Sequence, residues 1–338
     1  MAAQDIEYVE LYTADDRSVI EYFVSSFGFK RTAECIGNGS RSCLLRQGTV
    51  QLVITSGKGT GEFLEAHGEG VADIAFACDD VAADRDRAVA NGASVLTSDP
   101  GGRVVSGFFG VRHTLVTRRA SQAAPPGRTW VPVAENPPRP AAHIQLLDHV
   151  AVCVEAGTLV DCADFYGSGF GLPRYSSEYI QVGDQAMDSI VVRSPSGGVT
   201  FTILEQDQDK KPGQIEAFLS RNGGSGVQHL AFGVDDIVSA VRGYRERGID
   251  FLQTPGTYYD MLAERFPDMR TDIEDLRETD VLADRDEWGY LLQLFTRSPY
   301  KRNTMFYELV QRRGARGFGS SNIKALYEAV ERDGLAAG

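Results

Sequence analysis

The feature that most constrains this chain is an internal repeat. IEYVELYTADD (6–16) matches LDHVAVCVEAG (147–157), and GVADIAFACDDVAADRDRAVANGASVL (70–96) matches GVQHLAFGVDDIVSAVRGYRERGIDFL (226–252). VRHTLVTR (111–118) is read against YLLQLFTR (290–297) in the same way. Two copies within 338 residues imply duplicated domains. Between them runs SQAAPPGRTWVPVAENPPRPAA (121–142), which holds six of the 13 prolines. Proline fixes φ and removes a backbone donor, so this stretch is expected to be an irregular connector pinned by Trp130. The division expected is a first domain over 1–122, a linker over 123–144 and a second domain over 145–338.

Each copy contains a shorter pattern twice. Tyr8 to Tyr12 and His149 to Cys153 are strand-like, being β-branched or aromatic. Apolar residues at helical spacing follow: Val19, Ile20, Tyr22 and Phe23 in one copy, Leu159, Val160, Ala163, Phe165 and Tyr166 in the other. Gly28 and Gly171 suit helix termination. The second unit runs from a strand at 73–78 through Asp79-Asp80 and a helix to Gly92, and its counterpart from a strand at 229–234 through Asp235-Asp236 to Gly248. Paired acids at a helix start favour capping and the macrodipole. The sum is an α+β chain of four β-α-β-type modules, two per domain.

Composition narrows the function. The formal net charge is −13, which argues against nucleic acid or an anionic membrane as partner. A small anionic substrate stays open, because a metal ion supplies local positive charge. No apolar run reaches membrane-span length, and the start lacks a signal-peptide pattern. The five cysteines are scattered with no CxxC, so a reduced, cytoplasmic chain is expected.

Five histidines leave a short search. His149 aligns with Tyr8 and His229 with Asp73, so the second copy carries histidine on the first strand of each module and the first copy carries neither. Equivalent strands of duplicated modules can face each other across a pseudo-twofold axis. Glu308 in MFYELVQR alternates with Phe306 and Val310, which aims it at an inward, apolar face. A carboxylate there is costly unless paired or bound to metal. Two imidazoles and one carboxylate form the facial set that suits non-haem Fe(II). The competing reading pairs Glu308 with Arg312 or Arg313 and leaves both histidines as satisfied core residues. His67, His113 and His143 carry no functional expectation.

The strings LDHVAVCV, GVQHLAF, FLQTPGTYYD, DEWGYLLQLFTRSPY, FYELVQR and GFGSSNIKALYEAVE together resemble the 4-hydroxyphenylpyruvate dioxygenase family. The resemblance covers essentially the whole chain. It implies the vicinal-oxygen-chelate fold, with two tandem domains each of two βαβββ modules forming open barrels, and a C-terminal helix closing the active site. It also implies Fe(II) on His149, His229 and Glu308, with O2 and an arylpyruvate as partners. Two activities occur in the family. One gives homogentisate in tyrosine catabolism. The other hydroxylates the benzylic carbon to give 4-hydroxymandelate, which feeds hydroxyphenylglycine formation in peptide-antibiotic pathways.

Three departures bear on that branch. Where dioxygenases carry a PINEP-like run, this chain has Thr202-Ile203-Leu204-Glu205-Gln206, and the usual aromatic of the C-terminal helix is Ile323. Thr202, Leu204 and Ile323 are similar to the hydroxymandelate-forming branch, which is the activity expected. A branched Ile323 holds a ring differently from a flat Phe, Leu204 removes an amide, and Thr202 adds a hydroxyl. The resemblance further implies substrate contacts from Ser189, Val191, Gln293, Phe295 and Phe318. A buried amide such as Gln293 otherwise needs a cross-strand partner. A metal-free binding protein of the same fold is the reading from another class, disfavoured by the intact ligand set. Substrate tolerance, product stereochemistry and self-association stay open.

Overall fold

The computed structural model describes residues 3–96, 102–108, 110–118, 124–134, 141–269, 272–322 and 324. Among them, sixteen strands form two curled sheets of eight. The first sheet contains β1 (Asp5–Tyr12), β2 (Lys30–Gly37), β3 (Ser40–Gln47), β4 (Val50–Gly57), β5 (Gly70–Cys78), β6 (Val104–Ser106), β7 (Arg112–Thr117) and β8 (Val131–Pro132). The second contains β9 (Ile144–Val154), β10 (Arg174–Val182), β11 (Gln185–Arg193), β12 (Thr200–Gln206), β13 (Gly226–Val234), β14 (Leu282–Arg285), β15 (Tyr290–Phe295) and β16 (Phe306–Arg313). Their orders are β6-β7-β5-β1-β4-β3-β2-β8 and β10-β11-β12-β9-β13-β16-β15-β14. In each, the leading strands of two modules pair antiparallel at the centre, β1 with β5 and β9 with β13. Each leading strand also runs parallel to the last strand of its own module, which requires a crossover.

Helices supply that crossover. Helix Leu159–Phe170 ends at Gly171, whose φ of 70° is left-handed, and the turn at Gly28 (φ 80°) does the same in the first copy. Asp80 and Asp236 cap the helices Val81–Ala90 and Ile237–Glu246 through their carboxylates. At the start of Leu159–Phe170 the cap comes from another element: Glu205 of β12 accepts from the backbone nitrogens of Thr158 (3.0 Å) and Leu159 (2.8 Å).

Alternation then sorts the sheet faces. Val150, Val152, Phe201, Ile203, Leu230, Phe232, Leu292, Leu294 and Leu309 point to the convex side and join one core with the helices. The two copies share that core: Phe27 meets Phe232 and Tyr244, and Phe23 meets Tyr307, with ring centroids 5.0–6.1 Å apart. Each fully buried side chain of this size contributes about 2–3 kcal/mol of transfer free energy. The concave faces carry smaller apolar clusters, Ala231 with Leu291 and Val310 in the second sheet and Tyr8 with Leu44, Val53 and Ala75 in the first, among buried polar groups. Four of the five cysteines are buried, Cys35 is half-buried, and all five are free thiols.

Two expectations need correction. The connector is not wholly irregular: Val131–Pro132 pairs with Glu34 and Ala33 at the open edge of β2. An edge tolerates proline because its missing N–H faces outward. The third repeat match is also out of register. β7 runs parallel to β5, as β16 does to β13, whereas β15 is antiparallel to β16 as β6 is to β7. Residues 111–118 therefore correspond to β16, not to 290–297. Similar apolar strings misled because the second copy carries additional helices, Gly256–Arg265 and Ile273–Thr279, ahead of β14.

Candidate metal centre on the concave face

Register alone brings the expected residues onto one surface. Ala231 pairs with His149 and His229 with Ala151 across β9 and β13, while Ala231 pairs with Glu308 across β13 and β16. Paired residues share a face, so His149, His229 and Glu308 all project into the hollow of the second sheet. Their donor atoms lie within 4.8 Å of one another. Nε2 of His149 is 3.2 Å, and Nε2 of His229 3.1 Å, from the same oxygen, Oε2 of Glu308. The rings of His149 and His229 meet at 76° with centroids 5.5 Å apart.

All three side chains are buried, and the electrostatics follow from that. Burial opposes charge on Glu308, yet the two imidazoles outweigh it and hold the carboxyl down at about 2. Burial also opposes charge on His149, but Glu308 and Asp148 raise it to about 9. Burial and the neighbouring His149 lower His229, against the pull of Glu308. The cluster is thus a carboxylate between a protonated His149 and a neutral His229, with Nε2 of His229 buried and in no well-oriented hydrogen bond. Three converging donors and an orphaned imidazole nitrogen fit a divalent cation that takes nitrogen and oxygen ligands.

The far nitrogens are also held. Nδ1 of His149 lies 2.9 Å from Oδ1 of Asp148, which in turn accepts a two-pronged ion pair from Arg312 at 2.7 and 2.8 Å. Arg312 therefore does not pair with Glu308, and Arg313 pairs with Asp272. The same guanidinium donates to the carbonyl of Gly317 (2.7 Å) and stacks over Phe318, whose ring meets His149 edge-on at 5.3 Å. On the other side, Nδ1 of His229 is 3.2 Å from Oε1 of Gln228, and the ring stacks on Phe306 at 5.0 Å. Phe295 meets it edge-on at 5.9 Å.

The expected substrate residues of β11, β12 and β15 share this hollow. Ser189 pairs with Leu204 and Val191 with Thr202 across β11 and β12. Thr202 and Leu204 pair with Ala151 and Cys153 of β9, the strand that carries His149. Gln293 and Phe295 oppose Val310 and Glu308. Val191, Thr202 and Gln293 are buried, while Ser189, Leu204, Phe295 and Phe318 are half-buried. Leu204 packs with Cys153, Ile215 and Phe218, where helix Gln214–Asn222 closes one end of the hollow. Oε1 of Gln293 is buried without a partner, so the amide has no cross-strand bond there. Backbone passes close to it: a Cβ on Gly319 (φ 77°) would lie 2.0 Å from that oxygen. Ile323 and residues 325–338, hence most of the expected closing helix, lie outside the described residues. Just before them, Asn322 is buried and its Oδ1 accepts from Tyr258 at 2.8 Å.

Sequence reasoning missed Asp148, Gln228, Phe306 and the inward role of Arg312. Signals existed: Asp148 and Gln228 directly precede the histidines, and Arg312 lies four residues after Glu308 on the same strand face. The remaining histidines lie away from the triad, and His143 meets Tyr244 edge-on at 5.4 Å. His113 is fully buried, stacks on Phe76 and bonds to Ile74 and Tyr166, while His67 contacts the carbonyl of Asn222. Among the described residues no helix is long and apolar enough to cross a membrane.

Residues 1–108 match the family described as hydroxyphenylpyruvate dioxygenase, N-terminal, and residues 146–294 the glyoxalase/bleomycin resistance protein/dioxygenase superfamily. A 4-hydroxyphenylpyruvate dioxygenase of Aspergillus fumigatus is 31% identical, covering 97% of this chain and 92% of its own length. One from Danio rerio is 30% identical over 99% and 91%. Among solved structures, a triple mutant of 4-hydroxymandelate synthase from Streptomyces coelicolor is 53% identical, covers 98% of this chain and 99% of its own, and superposes with a TM-score of 0.86.

Proposed function

The chain belongs to the 4-hydroxyphenylpyruvate dioxygenase family, and on that premise we propose that it is an Fe(II)-dependent 4-hydroxymandelate synthase. The reaction is 4-hydroxyphenylpyruvate plus O2 to 4-hydroxymandelate plus CO2. His149, His229 and Glu308 would hold the metal. When bound, Fe(II) supplies the redox chemistry that couples O2 to oxidative decarboxylation of a 2-oxo acid.

The protein's own part is positioning. Asp148 fixes Nδ1 of His149 so that Nε2 is presented to the metal. Phe295, Phe306 and Phe318 ring the imidazoles with apolar surface, which keeps water from the reacting centre. Gln293 offers a buried oxygen with no protein partner. At the far end of the hollow, Ser189 and Thr202 are the hydroxyls available to the substrate phenol, and Val191 flanks the ring. The observation that carries the synthase reading is Leu204. It sits directly across from Ser189, where an amide would give the phenol a second polar anchor. With that anchor gone and a branched Ile323 in place of an aromatic, the ring is held so that the benzylic carbon is the site attacked. The 53% identity to the Streptomyces synthase supports this reading. The division of labour follows, with 145–338 catalytic, 1–122 without a metal site and 123–144 as connector. The product would enter hydroxyphenylglycine formation for peptide antibiotics in a cytoplasmic setting.

Chromatography of the aerobic reaction tests the assignment. 4-Hydroxymandelate is expected as the main product, and homogentisate in its place would refute it in favour of the dioxygenase activity. Leu204→Asn and Ile323→Phe should each divert product toward ring attack. Anaerobic Fe(II) with 4-hydroxyphenylpyruvate should give a visible charge-transfer band that His229→Ala lacks. Absence of both band and oxygen uptake in the parent would remove the enzyme reading.

A further inference from the structure

The register that assembles the triad also identifies its counterpart in the first sheet. Asp73 pairs with Arg112 and Phe76 with Leu115 across β5 and β7, as His229 pairs with Phe306 and Phe232 with Leu309. The positions equivalent to His149, His229 and Glu308 are therefore Tyr8, Asp73 and Thr114. They do not form a metal-ligand set. Thr114 bonds the Asp73 carboxylate through its backbone nitrogen (3.0 Å) and hydroxyl (2.5 Å). Glu10 lies beside them and is 1% exposed.

Two arginines meet these buried acids. Arg112 reaches Glu10 (3.3 Å), Asp73 (3.4 Å) and the hydroxyl of Tyr12. Arg128 comes from the connector and bonds Glu10 (2.5 Å) and Ser42 (3.1 Å). Trp130 follows it inward, packing on Tyr8, Ala33, Leu44, Val53 and Ala75, with its indole N–H donating to the Pro125 carbonyl at 2.8 Å. A cavity of about 1090 Å³ opens over this network.

We infer that this hollow is a second ligand site, for a small aromatic carboxylate whose charged end sits on Arg112 and Arg128. A buried mixed-charge network is weak evidence of stability, since well-packed apolar residues often serve as well or better. Here the network is not sealed. The Arg112 and Arg128 side chains are about a quarter exposed, at 27% and 25%, and line the cavity. Bonds run from Nε and Nη2 of Arg112 and from both terminal nitrogens of Arg128. Nη1 of the first and Nε of the second have no protein acceptor among the described residues. The lining carries Lys58, Arg103, Arg112 and Arg128 against Glu10, Glu34 and Asp73, so the balance of charge favours an anion. Tyr8, Tyr12, Pro126, Val131 and Pro132 offer flat apolar wall for an aromatic body. This site is independent of the reaction assigned to the second sheet.

Trp130 reports occupancy. Trp288 is the one other tryptophan, so Trp288→Phe leaves Trp130 as the single emitter, its ring centroid 5.9 Å from the guanidinium carbon of Arg128. In that full-length background, combined with His229→Ala to disable the triad, 4-hydroxyphenylacetate is titrated and Trp130 emission followed. A saturable change is expected, at least about tenfold weaker for the uncharged 4-hydroxyphenylacetamide and for Arg112→Gln, the loss of a charged hydrogen bond. Equal response to acid and amide overturns the proposal, as does no saturable change up to millimolar ligand. So does binding that is present with His229 intact and lost on His229→Ala, which would put the probe at the triad. If Arg112→Gln does not fold, the acid-against-amide comparison decides alone.

Discussion

Replacing Asp148 by Asn is the sharpest probe of how the triad is held. The carboxylate makes three short contacts, at 2.7 and 2.8 Å to Arg312 and 2.9 Å to His149. Both partners hold it well below the usual carboxylate range, against the opposing effect of burial. Asn keeps one oxygen for His149 but turns an NH2 toward Arg312, where donor then faces donor. Breaking a fully buried ion pair costs about 3–5 kcal/mol, and an exposed pair about 0–1. The side chains here are 11% and 24% exposed, so about 2–3 kcal/mol of stability is expected to go, read by urea unfolding. The same change loosens the orientation of His149, and loss of such an outer partner lowers metal affinity about 10–100-fold. Competition with a chromogenic chelator under anaerobic conditions measures that. Arg312→Lys separates the two effects. It loses the two-pronged geometry and stability but leaves Asp148 on His149, so metal affinity should move only a few-fold. Unchanged metal affinity in Asp148→Asn, with the stability loss present, would refute the claim that Asp148 positions His149.

Other perturbations test neighbouring parts of the argument. Gly319→Ala puts a methyl against Oε1 of Gln293 at a left-handed φ, costing about 2–4 kcal/mol locally, and KM for the arylpyruvate should rise as Gln293 is displaced; unaltered kinetics would clear Gln293 of substrate contact. Burial holds His113 down at about 4, against the bond to Ile74. Its neutral imidazole therefore contributes stability that is present above its ordinary pKa near 6.5 and lost as pH falls through about 4, up to about 3 kcal/mol, and His113→Gln should flatten unfolding free energy across that window. Glu205→Ala removes the cap from helix Leu159–Phe170 and should lower stability by about 1 kcal/mol with little change in product ratio; a large product shift would mean that Glu205, not Leu204, faces the substrate.

Much of the site was legible in one dimension because its logic is local. Strand residues alternate with period two, so Glu308 between Phe306 and Val310 had to share their face. Duplication made His149 and His229, 80 residues apart, equivalent positions. Capping acids and left-handed glycines marked the helix ends for the same local reason. The misread third repeat shows the limit. Apolar strand strings look alike, and only hydrogen-bonded register distinguishes β15 from β16.

The sequence by itself determined the duplication, the α+β modules, the inward direction of the triad and the family. Tertiary structure alone decided the partners: Arg312 on Asp148 and not on Glu308, Glu205 on a helix end, and Arg128 and Trp130 of the connector folded onto the first sheet. The physical reason is that a side chain's direction follows from its own backbone, whereas its partner depends on register and on where distant segments close. Those are settled by competition among many alternative pairings, each paying a similar loop-closure entropy, and no short stretch of sequence encodes the winner.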